Sequence, residues 1–224
     1  AVQRLPAPAR LGGPLSSPPV PRIGLFGGSF DPPHAGHLQL ARTALASLAL
    51  DELLWIPAGQ PWQRQHRLAG AGHRAAMVGA AIAGEPRFVL DGRELRRSGP
   101  SYTLDTVREL EAERPGAALF LLIGEDQYQR LPTWHRWDEL LAHVTLAVAG
   151  RGAPRPAPAA LASVAHRLER LPMVPMDVSA TAIRAHLARG GAAADLVPAM
   201  VPAEVARYID SHRLYGPPVS PTRS

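Results

Sequence analysis

Cysteine is absent from the 224 residues. Disulfide scaffolds and thiolate metal sites are thereby excluded, which accords with a reducing compartment. Lysine and asparagine are absent as well, and all 24 basic residues are arginine. Both missing residues have AT-rich codons, so the bias points to a GC-rich coding sequence rather than to a function. No apolar run approaches the roughly 18 residues that a membrane helix needs. The N-terminus is rich in proline where a secretory signal would carry an apolar stretch. The expectation is a soluble, cytoplasmic protein with no membrane partner.

What is present is 46% hydrophobic and 19% charged, enough apolar material for a core that buries about 70% of the extended chain surface. The formal charge of +5 invites a nucleic-acid reading, but its distribution argues otherwise. Arg4, Arg10 and Arg223 stand in acid-free termini, and elsewhere arginines alternate with acids, as in Arg108-Glu109-Leu110-Glu111-Ala112-Glu113-Arg114. No basic face interleaved with aromatics appears, so no nucleic-acid partner is expected. A homo-oligomer is compatible with the sequence, which does not specify one.

Residues 1–21 hold six prolines and no acid, a composition that does not bury enough apolar surface to order itself. They are read as a disordered arm, and 216–224 as a disordered tail. Between them, 22–215 alternate. Buried strands are expected at Arg22 to Phe26, Leu53 to Ile56, Arg87 to Leu90, Leu119 to Ile123 and Val144 to Val148. Helices are expected at about His37 to Leu48, His73 to Ala83 and Tyr102 to Glu113, where Leu104, Val107 and Leu110 keep helical spacing. Beyond a Pro/Gly/Arg loop at Gly150 to Pro158 a helix near Ala159 to Glu169 is expected, then a short strand near Met173 to Val178. Helices near Ala180 to Ala188 and Glu204 to His212 complete the chain. Alternation at this spacing implies right-handed crossovers and an α/β, doubly wound, mainly parallel sheet with a small C-terminal helical part. Ligands of such sheets bind beyond the carboxyl ends of the strands, after Phe26, Ile56, Ile123 and Val178.

The first of these loops reads Gly27-Gly28-Ser29-Phe30-Asp31-Pro32-Pro33-His34-Ala35-Gly36-His37-Leu38. Two glycines let the backbone approach a ligand, the following helix offers unpaired N–H groups to an anion, and His34 and His37 add imidazole donors beside them. A bare Gly-Gly is more often an ordinary tight turn. The whole string is different, since it resembles the Gly-[ST]-Phe-Asp-Pro-x-His-x-Gly-His signature of the nucleotidylyltransferase superfamily. Val178-Ser179-Ala180-Thr181-Ala182-Ile183-Arg184 is similar to the Ile-Ser-[SA]-Thr-x-Ile-Arg motif of the nicotinate/nicotinamide mononucleotide adenylyltransferase family. Arg93 to Thr103, Ile123-Gly124-Glu125-Asp126 and Leu131-Pro132-Thr133-Trp134 resemble its bacterial, nicotinate-using branch. The likeness spans about residues 22–215.

The resemblance implies a Rossmann-like fold and transfer of AMP from ATP to nicotinate mononucleotide. It assigns catalysis to His37, His34 and Arg184, and ATP binding to these with Gly27, Gly28, Ser29, Phe30, Gly124, Asp126, Ser179 and Thr181. It assigns the pyridine nucleotide to Ser101, Tyr102, Thr103, Trp134 and His135. Mg²⁺ would arrive on the ATP phosphates, with no protein ligand. Ser179 and Thr181 are read equally well as helix caps, whereas Asp126 resembles the family acid that bonds a nucleotide ribose hydroxyl, with a helix-start charge as the lesser reading. One segment departs from the family, which commonly has Pro-Pro-His-[KR] after the second strand. Here Pro57-Ala58-Gly59-Gln60-Pro61-Trp62-Gln63-Arg64 lacks the histidine, and Arg64 or Trp62 is left to serve in its place. Other readings are a cytidylyltransferase or phosphopantetheine adenylyltransferase and, from another class, a nucleotide-sensing regulator. The regulator would be expected to lose His34, His37 or Arg184.

Overall fold

The computed structural model describes residues 19–59, 68–150 and 155–217. The Trp62 and Arg64 assignments, and most of the expected arm and tail, lie outside the described residues. In chain order the elements are β1 (Arg22–Gly28), α1 (Ala35–Ser47), β2 (Glu52–Pro57), α2 (Ala71–Ile82), β3 (Phe88–Leu90), α3 (Arg93–Arg96), α4 (Thr103–Glu113) and β4 (Ala118–Gly124). They continue with α5 (Glu125–Arg130), a 3-10 turn (Leu131–Thr133), α6 (Trp137–His143), β5 (Thr145–Gly150), α7 (Ala159–Ala162) and β6 (Arg167–Pro172). The last are α8 (Ala180–Ala188), a 3-10 turn (Ala193–Leu196) and α9 (Ala203–Ser211). Among the described residues no helix is long and apolar enough to cross a membrane.

The strands form one parallel sheet in the order β3-β2-β1-β4-β5-β6. Strand side chains alternate between faces, and the hydrophobic runs load both. Ile23, Leu25, Leu54, Ile56, Leu119, Leu121 and Ile123 point to the face covered by α4, α5 and α6, where Val107, Leu110, Tyr128 and Leu140 meet them. Phe26, Leu53, Trp55, Phe120 and Leu122 point the other way, onto Leu38, Ala41, Leu45 and Val78 of α1 and α2. The register agrees, with Leu25 opposite both Leu54 and Leu121. A strand buried on both faces reads as a continuous apolar run, which is why these strands are visible in sequence. A third cluster joins α2 to α8 and α9 through Met77, Ile183, Leu187, Val205 and Ile209.

Two expectations fail after β5. The helix expected over Ala159 to Glu169 ends at Ala162, and Arg167–Pro172 is instead the edge strand β6. Leu161, Val164 and Leu168 do recur at helical spacing, but the open edge of β5 needs partners for its N–H and C=O groups. Pairing from Thr145↔Arg167 to Gly150↔Pro172 supplies them, and tertiary pairing overrides local propensity. The strand expected near Met173 to Val178 is absent, because the sheet already ends at β6.

Candidate active site

Chain order reverses between β1 and β4, and the crevice of a doubly wound sheet opens beyond the strand ends at such a point. A cavity of about 570 Å³ lies there. Gly27, Gly28 and Ser29 leave β1 along its wall, and Gly124 leaves β4. Ser101, Tyr102 and Thr103 lead into α4 beside it, and Trp134 and His135 follow the 3-10 turn. Four separate stretches of the sequence thus meet in one crevice.

His37, in the first turn of α1, also lines the wall. The backbone N–H of His34 donates to His37 Nδ1 at 3.1 Å. An imidazole nitrogen that accepts carries no proton, so neutral His37 bears its hydrogen on Nε2. Its ring is stacked on His34, with centroids 3.7 Å apart and planes at 23°, and meets the Phe30 ring edge-on at 5.2 Å. Tautomer and orientation are both set before any ligand binds. No acid stands in the first turn of α1, so the positive end of that helix adds to the imidazole donor without cancellation.

The loop between β1 and α1 is tied down from three directions. Arg74 of α2, only 2% exposed, donates Nε to Ala69 O at 3.1 Å, Nη1 to Ser29 O at 3.0 Å and Nη2 to Gly59 O at 3.1 Å. Asp31, 1% exposed, accepts from the Ala69 N–H at 3.0 Å and from the Tyr215 hydroxyl at 2.7 Å. Burial first, and then the Asp31 carboxylate, push the Tyr215 phenol well above the tyrosine range, so it stays a donor. Arg184 Nη1 donates to the Asp31 backbone carbonyl at 2.7 Å and lies 3.9 Å from its Oδ2.

Arg184 reaches this loop because α8 starts beside α1. A Cβ added at Gly36 would come within 3.0 Å of Val178 and 3.3 Å of the His34 ring, so any larger residue would have to displace those side chains by a few tenths of an ångström. Ser179 is the N-cap of α8, its Oγ accepting from the Ala182 N–H at 3.1 Å, and Thr181 Oγ1 accepts from Arg184 Nη2 at 3.4 Å. The first turn of α8 is likewise free of acids.

The far side of the cavity has another character. The first N–H groups of α4 have no preceding turn to bond with, and Thr103, its first residue, is on the cavity wall. The rings of Tyr102 and His135 stack at 4.2 Å. Glu94 is there too, its carboxyl accepting from the Thr106 hydroxyl at 2.9 Å, while Arg97 donates to Thr106 Oγ1 at 2.9 Å. Burial raises the Glu94 pKa, against the lowering effect of the Thr106 bond and Arg97. The backbone of Glu94 packs onto Gly59 so closely that no side chain fits there.

Of the residues singled out in the sequence, Gly27, Gly28, Ser29, His37, Gly124, Ser101, Tyr102, Thr103, Trp134 and His135 share the cavity wall. His34, stacked on the wall residue His37, and Arg184, bonded to the Asp31 carbonyl, sit at the loop beside that wall. Phe30 does not present its side chain to a ligand, since it is 1% exposed and packs on Phe26, Trp55 and His37. Asp126, the second residue of α5, has its side chain 90% exposed and ion-paired to Arg155 at 2.6 Å, and it is not among the residues of the wall. Arg74, Asp31, Glu94, Tyr215 and the wall residue Arg130 did not emerge as site residues from sequence. Asp31 is the acid of the first-loop signature and Glu94 lies in the Arg93 to Thr103 segment, while Arg74 leaves a weaker signal as a charge at the helical spacing of buried Met77, Val78 and Ile82.

A parallel sheet with paired histidines at the first helix start, and an arginine from a later helix on the same loop, defines a nucleotidylyltransferase-type site. Comparison with known proteins agrees. The cytidylyltransferase-like family profile matches residues 25–186. A probable nicotinate-nucleotide adenylyltransferase of Methylibium petroleiphilum is 62% identical over 91% of this chain and 97% of its own. One from Bordetella petrii is 53% identical over 87% and 98%. The solved Plasmodium falciparum nicotinic acid mononucleotide adenylyltransferase complexed with NaAD superposes with a TM-score of 0.69 at 18% identity, covering 87% of this chain and 97% of that one, a likeness of fold. The chain belongs to the cytidylyltransferase-like family and, within it, to the nicotinate-nucleotide adenylyltransferases.

Proposed function

We propose that the protein transfers the adenylyl group of MgATP to nicotinate mononucleotide, giving nicotinate adenine dinucleotide and pyrophosphate in NAD biosynthesis. The observation that carries this reading is the pairing, in one cavity, of an acid-free helix start bearing His37 with a second helix start at Thr103. The first suits phosphates, and the second, whose first turn holds one acid, Asp105, offers its N–H groups to no more than a single carboxylate. A phosphate oxygen of the mononucleotide attacks the α-phosphorus, and the bond to the bridging oxygen of pyrophosphate breaks. The attacking oxygen is already anionic at neutral pH, because the mononucleotide's phosphate monoester loses its second proton near pH 6, so no general base is required.

The protein's task is alignment and charge neutralisation. His37 Nε2–H donates to the α-phosphate and its bridging oxygen. His34 and Arg184 attend the triphosphate, with Thr181 beside them. Trp134 covers the pyridine ring, and the Thr103 and His135 N–H groups hold its carboxylate. Mg²⁺ would arrive on the ATP phosphates, since it prefers phosphate and water oxygens.

Pyrophosphate release from MgATP, followed with each acceptor in turn, tests this reading. The acid should be favoured over nicotinamide mononucleotide by about two decades in kcat/KM, because an amide NH₂ turned toward N–H donors forfeits a charged hydrogen bond. Equal values for the two would overturn the nicotinate assignment.

A further inference from the structure

The chain's last described turn reaches back to its first loop. Tyr215 lies beyond α9 with φ at +63°, and its hydroxyl donates to Asp31 Oδ1 at 2.7 Å across 184 positions of sequence. Its ring belongs to the apolar cluster of α2, α8 and α9. We infer that Tyr215 is a positioning residue for Arg184, covering the Asp31 carboxylate so that the guanidinium remains available to phosphate instead of closing onto that acid. This rests on the adenylyl-transfer reading for the place of Arg184 at the ATP phosphates and for its activity assay.

The argument is one of competition for a buried charge. An arginine facing a carboxylate ordinarily closes to about 2.7 to 2.9 Å and engages it with two parallel bonds. Arg184 has not done so. Its Nη1 bonds the backbone carbonyl of Asp31 at 2.7 Å and stays 3.9 Å from Oδ2. The Ala69 N–H and the Tyr215 hydroxyl both donate to Oδ1. The carboxylate is held in place by these neutral donors, and its demand on the cation is reduced. The guanidinium, tethered at the carbonyl and at Thr181, keeps further N–H donors for an anion. Without the Tyr215 hydroxyl, the carboxylate loses one of its donors, its pull on Arg184, 3.9 Å from Oδ2, rises, and the guanidinium is drawn off the phosphate.

A double-mutant cycle tests this. Tyr215→Phe keeps the ring and deletes only the hydroxyl. It should lower kcat/KM for ATP about tenfold, the scale of one charged hydrogen bond, and leave KM for nicotinate mononucleotide within about twofold. In an Arg184→Ala background the same change should alter kcat/KM for ATP by less than about twofold, because a residue acting through Arg184 has nothing left to position. Equal losses in both backgrounds, no loss in the first, or a Tyr215→Phe chain that does not fold would each overturn the inference, the last by showing that the hydroxyl holds the fold itself. Calorimetric ATP titration of the four proteins gives the same cycle without an acceptor. A chain that binds ATP but makes no pyrophosphate with nicotinate mononucleotide therefore defeats the functional reading alone.

Discussion

Replacing Arg74 by leucine separates the scaffold of the site from its chemistry. The guanidinium bonds three carbonyls, of Ala69, Ser29 and Gly59, which belong to three different segments around the cavity. Leucine preserves much of the stem's packing against Met77 and Val78 but leaves those oxygens without a donor. At about 1.5 to 3 kcal/mol for each hydrogen bond to a charged group, the gross loss is roughly 4.5 to 9 kcal/mol. Two effects reduce it. The buried cation carries its own desolvation cost, which the variant does not bear, and carbonyls beside an open cavity are reached by water. With these two offsets the net loss should be about 3 to 5 kcal/mol, around the lower end of the gross figure. For a chain of this size that lowers Tm by roughly 6 to 20 °C. Urea unfolding measures the loss, and kcat/KM on the folded fraction should fall by at least about a decade, since Ser29 and Gly59 both line the cavity. Arg74→Lys should recover only part, because one ammonium does not span three carbonyls. A loss under about 1 kcal/mol with unchanged kcat/KM would refute this account of the loops.

His37→Ala removes a donor aimed at charge that develops in the transition state and should lower kcat by about two to three decades, with a smaller change in ATP affinity by calorimetry. Gly36→Ala pushes Val178 away from α1 and should lower kcat/KM for ATP more than it lowers Tm, because the displaced part is the start of α8 and with it Arg184. Arg130 lines the cavity with no carboxylate partner among the described residues, so Arg130→Gln should raise KM for nicotinate mononucleotide, and the difference from the unmodified protein should shrink as salt is added. Glu94 has a folded-state pKa raised by burial. Its protonated form therefore favours the fold, and that contribution is complete below the unfolded-state pKa and lost as pH rises through the folded one. Thermal melts across the acidic and neutral range should show Glu94→Gln gaining on the unmodified protein as pH rises, and a constant or shrinking difference would contradict the raised pKa.

The strands most readable in sequence are those buried on both faces, where Leu119 to Ile123 and Leu53 to Ile56 leave no other role for so many apolar residues. α8 was equally plain, since Ser179 caps it and Ile183 and Leu187 lie on one side. β6 was not. Its Leu168 and Leu171 serve opposite faces of the sheet, and two apolar residues three apart look like one side of a helix. The short α5 and α6 and the turn between them gave no periodicity, having too few residues to repeat one. Within the site, His34, His37 and Arg184 stood out because each is a donor in a recognisable string. Asp31, Arg74 and Tyr215 act through partners 38, 45 and 184 positions away, and many of those partners are backbone atoms. A carbonyl has no identity in a sequence, so a side chain that exists to satisfy one leaves almost no trace there.

Those carbonyls explain why the arrangement suits anions. A loop that wraps a triphosphate exposes C=O groups as readily as N–H groups, and each outward oxygen would repel the ligand. Here Gly28 O accepts from the Ala58 N–H at 2.8 Å, Ser29 O from Arg74 and Asp31 O from Arg184. The acceptors that line the loop's path are thereby engaged away from the ligand, and the donors and helix ends are left to face it. Two of these three contacts are made by guanidinium groups, whose planar fork reaches a carbonyl and a second oxygen at once. Arg74 cannot itself touch substrate from its buried position, yet it fixes the sign of the surface that substrate meets. Such an arrangement lowers the barrier by preorganisation, because the dipoles already point where charge will develop and need not turn during the reaction.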